Sequence, residues 1–228
     1  MIVAHRKPME EILRSIEGID KLALCGCNSC VAVCLSGGER EVRILASQIR
    51  IARQEAGRLI EIEELVLERS CEPEFVEKAA EVVQRTDGML NISCGVGVGY
   101  MAEVYAPYRV IPGLNTTFYG VGLGEGVFEE RCGGCGDCLL DRTGGVCPII
   151  RCAKSILNGP CGGSQDGNCE ISKDMPCAWQ LIWDRLRDQG REEDFHVVEP
   201  VKDWRTATAA GPRRLAQEEI AVDRTEPA

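Results

Sequence analysis

The chain reads as an α/β fold on a parallel sheet, with a small cysteine-rich module and a C-terminal helix and tail appended. Three observations carry that expectation. Strand-like and helix-like segments alternate with short connections through the first half. Eight cysteines crowd the stretch from Cys132 to Cys177, where large apolar residues are few. An apolar helical face follows Cys177, and beyond Glu199 apolar residues thin out.

Pro8 to Gly18 predicts a short helix, apolar at Met9, Ile12, Leu13 and Ile16, with Pro8 near its first turn and Gly18 as its stop. Lys21–Leu24 reads as a strand running into a glycine- and cysteine-rich loop over 25–38. Glu39 to Ala56 predicts a long helix with Val42, Leu45, Ala46 and Ile49 on one face and Gly57 ending it. Leu59 to Glu68 predicts a second strand, bulged near Glu63 and Glu64; Glu74 to Arg85 a helix; Gly88 to Ser93 a third strand. Val98 to Ala106 reads as a further helix and Arg109–Pro112 as the start of a fourth strand. This β-α-β rhythm is Rossmann-like in outline. The expected division is an α/β domain over 1–124, a cysteine-rich module over 125–178, and a helix with an extended tail over 179–228.

With 228 residues there is room for one α/β domain and a small module, and a hydrophobic content of 44% is that of a globular protein. No run of about 18 apolar residues exists, so no membrane span is expected. A formal charge of −10 and a pI near 4.9, without a basic stripe, argue against nucleic acid as a partner. Charged residues from His5 to Lys21 interrupt any secretory pattern, so 14 cysteines point to a reducing cytoplasm.

The run Cys132-x2-Cys135-x2-Cys138, continued by Cys147-Pro148, Cys152, Cys161, Cys169 and Cys177, resembles the ligand pattern of bacterial [4Fe–4S] proteins. Eight thiolates make two sets of four, hence two [4Fe–4S] clusters and electron transfer as the first reading. Structural zinc uses the same thiolates, more often as separated C-x2-4-C pairs, and stays open; disulfides would need an oxidising compartment. A second pool lies at the strand ends: Cys25, Cys27, Cys30, Cys34 and Cys94 converge where an open parallel sheet binds ligands, which gives a third centre, a cluster or zinc. Cys71, which follows the second strand, is expected at the same edge but reads as a plain buried thiol. The run Gly95-Val96-Gly97-Val98-Gly99 lacks G-x-G-x-x-G spacing and reads as turn glycines. With only His5 and His196, no nucleophilic constellation or P-loop is evident and no catalytic residue is assigned. Trp179, Ile182, Trp183 and Leu186 share a helical face suited to packing or to partner docking, and the tail from Glu199 is expected to stay mobile or to order on a partner.

Several strings carry a family resemblance: Leu24–Cys34 with Gly37-Gly38-Glu39, Cys132–Cys138, Gly144–Pro148, Arg151–Lys154 and Asn158–Ser164. Across residues 1 to about 186 the chain resembles the small iron–sulfur subunit of two-subunit methylenetetrahydrofolate reductases, the MetV type. The resemblance implies a flavin-bearing TIM-barrel reductase subunit as partner, in the methyl branch of the reductive acetyl-CoA pathway. It also implies a non-catalytic role: single electrons pass from a ferredoxin-like donor or another redox subunit, through this chain, to the partner's flavin. Two other readings stay open, a zinc-binding assembly subunit of that flavoprotein and an electron-transfer subunit of a heterodisulfide-reductase-like complex.

Overall fold

The computed structural model describes residues 1–124, 126–215 and 217. Two compact units divide the chain, Met1–Cys132 and Gly133 onward, against sequence-expected boundaries at 124 and 178.

In the first unit, β1 (Ile2–Arg6) is followed by α1 (Met9–Ser15) and β2 (Lys21–Cys27). A short α2 (Cys30–Val33) leads into α3 (Glu39–Glu55), and β3 (Glu61–Leu67) follows. α4 (Pro73–Val76) and α5 (Ala80–Arg85), joined by a 3-10 turn, stand where one unbroken helix was expected. Then come β4 (Gly88–Asn91), α6 (Gly95–Val104), β5 (Val110–Pro112), β6 (Leu114–Gly124) and β7 (Val127–Cys132).

Four strands form a parallel sheet in the order β3-β2-β4-β5, giving the expected parallel α/β core. β2 lies inside it and is buried on both faces, as its apolar run demands. Leu22 and Leu24 join Ile12, Ile16, Val42, Leu45, Ile49, Leu90 and Ile92 on one face; Ala23 and Cys25 join Leu67, Val76, Met89 and Met101 on the other. Period-2 alternation along one strand thus builds both cores. The amphipathic face expected of α3 is the buried one, with Val42, Leu45, Ala46 and Ile49 all within the core. Gly38 starts that helix, its N–H donating to Glu41 Oε2 at 3.0 Å, and Gly57 follows its end at φ +70°. β2 pairs with β3 in unbroken register from Lys21–Glu61 to Cys27–Leu67, so the bulge expected near Glu63 is not formed.

Two features depart further from expectation. β1, β6 and β7 make a separate antiparallel sheet, with β6 between the other two, a sheet the alternation pattern did not reveal. The glycine run 95–99 is not a turn but the first turn of α6. A Cβ on Gly97 would stand 2.6 Å from Ser93 Oγ and 2.7 Å from Ser70 Cβ, so glycine there lets α6 approach closely.

The second unit has little regular structure: α7 (Pro148–Arg151), the hairpin pair β8 (Asn168–Cys169) and β9 (Ser172–Pro176), and α8 (Ala178–Asp188). Its core is Trp179, Ile182 and Leu186 of α8, with Val146, Cys152, Cys177 and Phe195 against them. Trp179 Nε1 donates to Ile156 O at 3.1 Å. Phe195 meets Trp179 and Trp183 edge-on, at ring centroid separations of 5.9 and 5.2 Å, so the chain itself occupies part of the expected docking face. From Glu199 to Ala210 the tail folds back on its own unit through the Asn158, Arg142, Asp137 and Cys135 bonds described below and two 3-10 turns; the remainder of the expected tail extends past the described residues.

Candidate metal centres

In the second unit the cysteines sit mostly at element edges, where backbone turns leave thiols accessible. Cys147 precedes α7 at its N-cap and Cys152 follows its end, while Cys169 lies in β8 and Cys177 caps α8. Cys135 Sγ donates to Asp137 O at 3.3 Å, and Cys161 Sγ lies 3.5 Å from Glu170 Oε1. Glu170 pairs in turn with Lys154, whose hydrogen bond, followed by that of Cys161, holds the carboxyl below its ordinary range. Cys132, Cys138 and Cys161 are exposed; Cys135, Cys147, Cys152, Cys169 and Cys177 are half-buried. Cys132 ends β7 as the last residue of the first unit, three positions before Cys135 in the chain.

At the carboxyl end of the parallel sheet, Cys27 closes β2 with its N–H on Gly37 O at 2.8 Å and its thiol 3.8 Å from Glu68 O. Cys94 is the N-cap of α6 and buried. Cys71, read from sequence as a plain buried thiol, is exposed, and it titrates upward because of burial first and then of the Cys94, Cys27 and Glu72 charges. Thus Cys27, Cys71 and Cys94 lie close enough to raise one another's charge cost at the ends of β2, β3 and β4; the sequence placed Cys71 at this edge but left it out of the candidate pool.

The rest of the expected pool is more scattered. Cys25 is wholly buried in the second core, where desolvation and then the Cys27 charge push its thiol up to about 12. Cys34 hydrogen-bonds Val31 O at 3.6 Å and Ser36 Oγ at 3.0 Å within the first core. Cys30 opens α2, half-buried.

Among the described residues no group of three or more His, Cys, Asp or Glu side chains is disposed to hold a metal ion. The donor set nevertheless suits thiophilic metal: none of the fourteen cysteines is in a disulfide, and the eight between 132 and 177 lie in turn-rich chain with positive-φ glycines at 134, 136, 144, 145, 162 and 167. Among the described residues no helix is long and apolar enough to cross a membrane.

A parallel α/β unit joined to a thiol-rich, core-poor unit defines a cysteine-rich α/β protein of two parts. Residues 111–205 match the family model described as methylene-tetrahydrofolate reductase C terminal, which bears out the resemblance carried by the motifs from Cys132 to Ser164. The matched stretch contains all eight cysteines of the 132–177 run. No curated protein and no solved structure matches the chain.

Proposed function

We propose that this chain is the electron-transfer subunit of a methylenetetrahydrofolate reductase, passing single electrons to the flavin of a TIM-barrel partner in the methyl branch of the reductive acetyl-CoA pathway, in the cytoplasm. The observation that carries the proposal is the coincidence of the family match with the eight-cysteine run. In this reading Cys132, Cys135, Cys138, Cys147, Cys152, Cys161, Cys169 and Cys177 hold two [4Fe–4S] centres, which supply one-electron chemistry when bound. The chain's own contribution is structural and electrostatic: its turns present thiolates, Pro148 starts α7 directly after Cys147, and the α8 aromatic core anchors Cys152 and Cys177. At the sheet edge, Cys27, Cys71 and Cys94 are the first candidates for a third centre, zinc or cluster, with Cys30 the next thiol along the chain after Cys27. The order β3-β2-β4-β5 supports a Rossmann-like reading of that unit.

The test is anaerobic purification of the full chain, with iron, sulfide and zinc measured together, then stopped-flow reduction of a co-expressed flavin subunit by a ferredoxin-type donor. About eight irons with matching sulfide, and flavin reduction that requires this chain, are expected. Zinc without iron would replace the electron-transfer reading by the assembly-subunit reading. Full flavin reduction by the natural donor without this chain would end it.

A further inference from the structure

Residues 199–208 run along the C-x2-C-x2-C loop and bond to it repeatedly. Lys202 Nζ donates to Asp137 O at 2.9 Å and to Asp137 Oδ2 at 3.2 Å. Thr206 Oγ1 donates to Cys135 O at 2.7 Å. The Thr208 N–H donates to Gly134 O at 3.1 Å, and its hydroxyl to Gly133 O at 3.0 Å. Four carbonyls of a six-residue loop are therefore held by one short segment. Contact is tightest at Gly136, φ +79°, where a Cβ would stand 2.4 Å from Thr206 O.

The segment is anchored at its start. Glu199 exchanges two hydrogen bonds with the Asn158 amide, and Arg142 Nη1 reaches both Glu199 carboxylate oxygens, at 2.8 and 2.7 Å. The family match runs to residue 205 and so includes most of this segment with the cysteines.

Lys202 is the unusual member, because its side chain is only 2% exposed whereas Asp137, its carboxylate partner, is 65% exposed. Lysine is almost never buried unless paired. A half-solvated carboxylate, one carbonyl and the Trp204 ring, 5.9 Å from Nζ, compensate such a charge incompletely. A nearby thiolate-bound iron–sulfur centre, which carries net negative charge, would complete the compensation.

We propose that residues 199–208 form a clasp that holds the 133–138 loop in its ligand-presenting conformation, with Lys202 as a positioning residue whose buried ammonium supplies positive charge to the anionic centre bound by Cys135 and Cys138. The inference rests on the iron–sulfur reading for the charge role and on geometry alone for the clasp. Preordering the loop lowers the entropy cost of ligation, and the fixed cation raises the reduction potential of the centre.

The experiment compares the full-length wild-type chain with Lys202→Met, Lys202→Arg and Thr206→Val. First, hydrogen exchange is followed on the full chain as purified anaerobically. Lys202→Met should speed exchange across 133–138 by about tenfold while β2 stays protected, and Thr206→Val should do so more weakly. Wild-type protection of the loop in both variants would overturn the clasp. Second, the chains are loaded anaerobically with iron and sulfide and titrated redox-potentiometrically. Lys202→Met should lower one midpoint potential, with Lys202→Arg and Thr206→Val near wild type; an unchanged potential in Lys202→Met would overturn the charge role. Wild-type chain that binds no iron would overturn the electron-transfer reading together with the charge role, while exchange would still decide the clasp.

Discussion

Asn158 and Glu199 are joined twice through one side-chain amide: Asn158 Oδ1 accepts from the Glu199 N–H at 2.7 Å, and Nδ2 donates to Glu199 O at 2.9 Å. The pair imitates one rung of a β-ladder across 41 residues and ties the loop before Cys161 to the returning chain. Asn158→Ala should cost the second unit about 1–3 kcal/mol, since both bonds go at once. Asn158→Asp, which keeps the acceptor and loses the donor, should cost less than Ala. Urea midpoints and limited proteolysis near 199–210 would read both; equal proteolysis of wild type and Asn158→Ala would show that the pair does not anchor the segment.

Gly37 and Gly57 separate two reasons for glycine in the first unit. A Cβ on Gly37 would stand 1.8 Å from Ile92 O, backbone that cannot move aside, whereas Gly57 at φ +70° has open space around it. Gly37→Ala should therefore destabilise by roughly 3 kcal/mol, by pushing apart the segments after β2 and β4. Gly57→Ala should cost only about 1 kcal/mol, from the left-handed backbone. Thermal unfolding of the two variants would rank them, and a larger loss at Gly57 would refute the steric argument.

Cys25 makes the first unit sensitive to alkali. Its thiol is raised from 9.0 to about 12, chiefly by burial and then by the Cys27 charge. A group whose folded pKa is raised stabilises fully below its unfolded value and loses that contribution as pH climbs toward the folded value. Between pH 9 and 12 the Cys25 contribution should fade by about 1.4 kcal/mol per pH unit. Tyr105 and Tyr108, also raised mainly by burial, act in the same direction, so the difference between wild type and Cys25→Ala isolates the thiol. Urea midpoints from pH 8 to 11 should show a steeper fall for wild type; parallel curves would mean that Cys25 ionises freely in the folded state.

What the sequence revealed follows burial. α3 and β2 were legible because each buries a periodic apolar set, Val42, Leu45 and Ile49 on the one, Leu22 and Leu24 on the other. The β1-β6-β7 sheet was not, because β6 is mostly exposed and carries Gly120, Gly122 and Gly124 where alternation would be sought. The helix expected over 74–85 was found with a break at Glu77–Ala79, which periodicity alone does not mark. The candidate thiols were legible as a count and a spacing, yet their grouping depends on how deep each one sits. Cys25 and Cys27, two apart on one strand, show the limit: Cys25 is wholly buried in the second core, whereas Cys27 closes the strand with its thiol 3.8 Å from Glu68 O. The returning segment escaped because its bonds come from Lys202, Thr206 and Thr208, polar residues that carry no periodic signal.

The two units should differ most in their dependence on metal. Apolar residues buried in the second unit are only Pro148, Ala178, Trp179, Ile182, Leu186 and Ala207 among the described residues, whereas the first unit buries two cores on either side of its parallel sheet. Ordering a residue costs about 1–2 kcal/mol of chain entropy, and one aromatic-aliphatic cluster on α8 cannot offset that for a turn-rich unit holding eight thiols. Ligation has to supply the remainder if the thiols bind metal. A chelator with a mild oxidant should then unfold the second unit, quenching the Trp179 and Trp183 environment and opening 133–188 to protease. The far-ultraviolet circular dichroism of the parallel sheet and α3 should persist through the same treatment. Retention of protease resistance across 133–188 after complete metal removal would show that the hydrogen-bonded clasp and the α8 cluster hold this unit without ligation.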